Sequence, residues 1–218
     1  MTSETTKAAG TAATHQLLVL HMLRLGAFVP ADKLAERIGL DAGTVRAVLA
    51  AARDEGLAKE RSGRISGWML TPAGKAADAG LLASELEAAG ARAGIERLYT
   101  RFIPVNETFK QVCTRWQMRD MDAQVPNDHA DAEYDAAVIA ELGEVHRAAS
   151  PLCHDLAGVL ARFGRYSREF EAAWQRVSAG DRKAFAAPMS GSYHDLWMEL
   201  HQDLLTTLGR DRSAADGQ

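Results

Sequence analysis

Cysteine is nearly missing from this chain: two among 218 residues, Cys113 and Cys153, with no CxxC pair. The two lie 40 residues apart in helical patterns. They read as reduced, buried thiols of a cytosolic protein, not as a disulfide framework or a zinc motif. Long apolar runs are missing too. The run Leu17–Leu25 is about nine residues long, too short to span a bilayer, and His21 and Arg24 interrupt it. The N-terminus, MTSETTKAAGTAATHQ, lacks the basic-then-apolar layout of a signal peptide. The expected location is therefore cytoplasmic, with no membrane partner.

A strong charge of one sign is also lacking. The net charge is −4, and residues 1–90 carry 10 of the 25 Lys+Arg and 10 of the 29 Asp+Glu. This is not the balance of a bulk nucleic-acid coat protein, although a site-specific DNA binder can be neutral if its positive charges share one face. There is no HExxH or paired ExxH motif, no nucleophile elbow, no phosphate-binding glycine loop and no dinucleotide fingerprint. The expectation is thus no enzyme, no cofactor and no metal. Internal repeats and low-complexity segments are missing as well.

What is present is globular and favours helix. Hydrophobic residues make up 47% and charged residues 25%, alanine, leucine, glutamate and arginine are abundant, and β-branched residues are sparse. The pattern predicts a mainly α protein: a winged helix-turn-helix domain with a small β-hairpin wing at 12–90, then an α-helical bundle at 91–209. Residues 1–11 and 210–218 read as flexible tails. The first helix, about 12–27, is apolar on nearly all sides and so belongs at the centre of its domain. Helix two covers about 31–38. Helix three covers about 42–55, with Asp41 as N-cap and Gly56 as its stop. Leu57–Glu60 and Ser66–Leu70 flank a Ser62-Gly63 turn and read as a hairpin. Thr71-Pro72 starts a helix that runs to about Ala89.

Beyond Gly90, apolar residues recur every three or four positions from Ile95 to Trp116, where Pro104 is expected to kink or interrupt the helix. MRDMDAQVPNDHAD reads as a loop. Separate helices are expected around Tyr134–Val145, Leu152–Phe163, Tyr166–Val177 and Tyr193–Leu208. Trp116, Trp174 and Trp197 are expected in the core.

Residues 31–75 carry the functional signal. Ala35, Gly39 and Val45 fall at spacings of four and six. A small residue lets two helices approach, a glycine permits the left-handed turn between them, and a β-branched residue packs the second helix on the first. Such a second helix is the kind that lies in the DNA major groove. The stretch DEGLAKERSGRISGWMLTPAGKAA, with Gly56-Leu57, Arg61, Arg64 and Leu70-Thr71-Pro72-Ala73-Gly74, resembles the wing of the MarR-like transcriptional regulators. The likeness covers roughly residues 15–90. This wing is shorter than is usual there and lacks the aspartate-rich tip, so PadR-like and other winged-helix families stay open. The resemblance implies a homodimer that reads a palindromic operator in double-stranded DNA.

On that reading Ala42, Gly43, Thr44, Arg46, Ala47 and Ala50 lie on the solvent side of helix three. Arg46 is the side chain that can take a guanine edge bidentately. Thr44 can meet a phosphate or a thymine methyl, and Lys33 and Arg37 can grip phosphates from helix two. Arg61 and Arg64 flank the hairpin turn and can enter a minor groove. A protein-interaction or scaffold module without DNA binding is the alternative, since Asp54, Glu55 and Glu60 dilute the basic face.

The helical half is larger than a dimerisation helix needs to be and has room for a pocket for a small-molecule effector. Candidate pocket residues cluster in three places: Lys110 with Trp116; Asn127, His129 and Tyr134; and Tyr193, His194, Trp197 and His201. His129 and His146 are candidates to join the last group in space.

Overall fold

A computed structural model describes residues 2–26, 28–63 and 66–210. They are mainly helical, with two small antiparallel hairpins. They divide into two compact units, one holding the chain up to Gly90 with residues 205–210, the other Ala91–Leu204. No described helix is long and apolar enough to cross a membrane.

In the first unit α1 (Thr2–Leu25) is central. Leu17, Val19, Leu20, His21, Met22 and Leu23 are all buried, nearly without interruption, because α2, α3, α4 and β2 pack on different sides of the helix. The helix starts at Thr2, ahead of the expected start near residue 12, so the segment read as an N-terminal tail is helical from there on. α2 (Ala31–Ile38) ends at Gly39, whose φ of +77° is the left-handed conformation the turn requires. The Gly39 and Leu40 amides both donate to the Ala35 carbonyl. Asp41 then caps α3 (Ala42–Asp54) by accepting from the Thr44 amide. Ala35 and Val45 are buried at this junction, as their spacing predicts.

β1 (Ala58–Arg61) and β2 (Gly67–Leu70) pair in register from Ala58↔Leu70 to Arg61↔Gly67. A bridge from Val29 to Trp68, with both amides donating across it, adds a short third rung that the sequence pattern did not suggest. Thr71 anchors the next helix, α4 (Pro72–Ala88). Its hydroxyl accepts from the Gly74 amide and donates to the Gly56 carbonyl at 2.7 Å. The approach at Gly74 is so close that a Cβ would lie 1.9 Å from the Leu57 carbonyl oxygen. The Leu70–Gly74 run is thus a packing device that seats a helix N-terminus on a strand.

In the second unit α5 (Arg92–Gln117) runs straight through Pro104, against the expected interruption. Pro104 and Thr100 are both exposed, so the carbonyl that loses its amide partner faces water. The same reasoning corrects the expectation of two helices after residue 132. α6 (Ala132–Val159) is one helix, and Pro151 and Arg147 lie on its wet side. The expected loop between α5 and α6 holds a second hairpin, β3 (Met118–Asp120) with β4 (Val125–Pro126). Its turn is closed by the Asp120 carboxylate, which accepts from the Asp122 and Ala123 amides.

A 3₁₀ turn, Ala161–Phe163, leads to α7 (Gly164–Ser178), then a short α8 (Lys183–Ala186) and α9 (Tyr193–Leu208). Phe102 and Phe109 of α5 and Phe170 of α7 gather round Trp197 of α9, with ring centroids 4.5–5.8 Å apart. The Trp197 indole N–H donates to Asn106 Oδ1 at 2.9 Å, which satisfies the polar tip of a fully buried ring.

Candidate functional site

The outer side of α3 is built from small residues and one long one. Gly43, Arg46, Ala47 and Ala51 are exposed, while Ala42 and Ala50 are half-buried. Val45 and Leu49, fully buried, fix the rotation of the helix and so aim Arg46 outward. No hydrogen bond or ion pair engages Arg46 among the described residues. Thr44 is placed differently from its expected outward role. Its hydroxyl donates to the Asp41 carboxylate and its amide lies 2.9 Å from the same group. Those bonds hold the Asp41 carboxyl below its ordinary value, with the Thr44 hydroxyl contributing most. The threonine therefore shapes the start of the helix, and its hydroxyl proton is already committed.

The other expected DNA contacts vary. Lys33 is exposed and paired with Glu36 at 2.7 Å, which raises its pKa. Arg37 is half-buried. The Arg61 guanidinium lies over the Phe28 ring, 5.2 Å from its centroid, at the end of β1. Arg64 lies outside the described residues. Arg53 is engaged with Asp54, and Glu55 and Glu60 are exposed. Exposed pairs such as Lys33–Glu36 contribute little because solvent screens them, so a phosphate can displace them at little cost.

No family model, curated protein or solved structure matches this chain. A site reading therefore rests on its own geometry.

The nine candidate pocket residues of the second unit do not form one pocket. Tyr193, Trp197 and His201 are buried in the aromatic core, with His201 against Tyr99 and Phe102. His194 is half-buried 6.1 Å from Phe109, and burial lowers its pKa. His146 does reach this group, with Nδ1 3.4 Å from the Tyr193 hydroxyl. Lys110 is tied to Glu107 at 3.3 Å. Trp116, Asn127 and His129 gather about four turns further along α5, roughly 21 Å from Phe102. There Trp116 stacks on Phe185 with centroids 4.2 Å apart, and His129 covers it at 4.5 Å. Tyr134 is close by but turned outward, its hydroxyl donating to the Arg115 carbonyl and its ring under Arg119.

Trp116, Asn127 and His129 line a cleft of about 370 Å³ together with Arg182 and Lys183. Beneath it Asp135 is buried, 3.1 Å from His129 Nδ1 and 3.0 Å from the donating Asn127 side chain. Burial alone would raise the Asp135 pKa. Hydrogen bonds from Asn127 and His129, and the charges of His129 and Arg182, outweigh it and leave the carboxyl below its ordinary value.

Asp135 and Arg182 escaped the sequence reading, because nothing local shows that a carboxylate on the first turn of α6 turns inward. A second polar group was missed in the same way. Arg162, Arg165 and Tyr166 bind Asp203 and Glu199 of α9 in an almost fully buried network. Its signal was visible as charges at 162, 165 and 169, and at 199 and 203, interleaved with apolar stripes. Among the described residues no group of three His, Cys, Asp or Glu is placed to hold a metal.

Proposed function

We propose that this protein is a cytoplasmic, sequence-specific DNA-binding transcriptional regulator that works as a homodimer. On this reading the order α1, α2, α3, hairpin, α4 is a winged helix-turn-helix of the MarR-like kind. α3 enters the major groove, and β1–β2 is the wing that follows the adjacent minor groove. The observation that carries it is the outer side of α3: one unpaired arginine, Arg46, rises among Gly43, Ala47 and Ala51, so the helix can sink close to the base edges. In a homodimer the two recognition helices meet half-sites centred about one helical turn, roughly 34 Å, apart. The helical second unit then serves dimerisation and holds an effector that shifts the spacing of the two reading heads.

The test is a gel shift against the DNA upstream of the protein's own gene. Binding is expected to weaken steeply with salt as counterions are released. Arg46→Ala is expected to relax base preference at one position by about 1–3 kcal/mol, while Arg64→Ala weakens all sequences alike. A second reading, a protein-interaction module, is favoured by the exposed Asp54, Glu55 and Glu60 beside the same helix. Salt-insensitive binding, or none to any duplex, would overturn the DNA reading and favour that alternative.

A further inference from the structure

The geometry points to an oxyanion-binding site in the cleft over the His129–Asp135 pair, taking a small ligand that presents a phosphate or carboxylate group. Three independent features carry this. First, His129 is held in an unfavourable backbone conformation, φ +59°, with no glycine to ease it. Non-glycine residues persist there when their surroundings over-determine them. Here the His129 amide donates to Asn127 Oδ1 at 3.2 Å, and Nδ1 lies 3.1 Å from both Asp135 oxygens.

Second, this contact fixes the ring's role. A carboxylate accepts, so Nδ1 carries a proton toward Asp135, and Nε2 is the edge with no partner among the described residues; as imidazolium it donates to an oxyanion, and as neutral imidazole it accepts from a P–O–H group. The ring lines the cleft. Third, the cleft carries an excess of positive charge in a chain whose net charge is −4. Arg182 and Lys183 line it, both exposed, and among the described residues no carboxylate does; Asp135 lies 3.4 Å from Arg182, and Asp181 accepts from the Lys183 amide at 3.0 Å. An oxyanion can thus meet a guanidinium fork and an ammonium, with the imidazolium edge as a third donor when the ring is protonated. Trp116 is not a stacking platform for the ligand, since Phe185 and His129 already cover it. The ligand's remaining atoms lie against Ala186 and Ala187 instead.

The experiment titrates the full chain, without DNA, with sodium phosphate and separately with sodium acetate, at constant ionic strength set by chloride. It follows the His129 ring nitrogens and the Lys183 amide by NMR. A saturable shift at both places is expected, with Kd of about 1 mM or tighter. Arg182→Gln with Lys183→Gln, both on the surface, is expected to weaken it about tenfold. His129→Asn keeps a residue that tolerates the left-handed backbone but removes Nε2, and is expected to weaken binding severalfold at the Lys183 amide.

Whichever of phosphate and acetate saturates first tells a tetrahedral from a planar group. No saturation, an equal response to chloride alone, or an unchanged Kd in the double variant would overturn the site. That the cleft regulates DNA binding rests on the function proposed above. The titration needs no DNA, so its failure removes the anion site alone, and a failed gel shift removes the DNA reading alone.

Discussion

Replacing Gly74 by alanine sets a methyl carbon 1.9 Å from the Leu57 carbonyl oxygen, 2.9 Å from the carbonyl carbon and 3.1 Å from Leu70 Cδ2. Backbone, not a flexible side chain, blocks it, so α4 and β1 must move apart by an ångström or more. The Leu57 carbonyl accepts from the Thr71 amide at 2.9 Å and the Thr71 hydroxyl at 3.2 Å, and both bonds are strained by that movement. Overpacking of this kind costs about 1–3 kcal/mol. Weakening the two hydrogen bonds adds about 1 kcal/mol each. The better helix propensity of alanine returns no more than about 1 kcal/mol. The expected net loss is about 2–4 kcal/mol, confined to the first unit.

Gly80, on the same helix, is the internal control. Its added Cβ meets nothing within 4 Å, so Gly80→Ala is expected to stabilise by about 0.5–1 kcal/mol. Because the chain has two units, a single melting temperature is a poor readout, and hydrogen exchange at the β2 and α4 amides measures the first unit directly. If Gly74→Ala lies within about 0.5 kcal/mol of Gly80→Ala, the ordinary spread of surface changes, the packing argument is wrong.

Three further outcomes follow from the second unit. Trp197→Phe keeps the ring stack but strips Asn106 Oδ1 of its donor, and is expected to cost about 1–3 kcal/mol by denaturant unfolding, with Asn106→Leu recovering most of it in that background. Burial pushes the thiols of Cys113 and Cys153 up to about 12 from 9.0. Neither should react with a thiol reagent at pH 8 unless the unit opens, and the stability they lend, full below pH 9, should be lost as pH rises toward 12. The Asp131, Asp135 and Asp181 carboxyls lie below their ordinary values. The Tyr134 amide and Arg119 hold Asp131 down, the Asn127 and His129 bonds outweigh burial at Asp135, and Arg176 holds Asp181 down. Their contribution is present above the unfolded value of about 3.9 and is lost as pH falls through the lower folded values. Urea unfolding from pH 7 to 3 should show a plateau and then a decline, and a curve that rises on acidification would contradict it.

What the sequence determined by itself is what depends on near neighbours. The α2 turn was legible in Ala35, Gly39 and Val45 because a left-handed glycine and two small or branched contacts are local requirements. The hairpin and the Thr71-Pro72 helix start were legible for the same reason, as were the helical character of the second half and the burial of its cysteines. Tertiary structure decided everything that turns on which side of an element meets a distant partner. Pro104 and Pro151 look like breaks in the sequence, yet they are tolerated because each faces water, and that orientation is set by the helix packed behind. The histidines looked like one pocket, but His201 and His129 point into different surroundings, set by α9 and by Asp135. A carboxylate's inward turn and a strained histidine backbone are consequences of long-range packing, and no spacing along the chain records them.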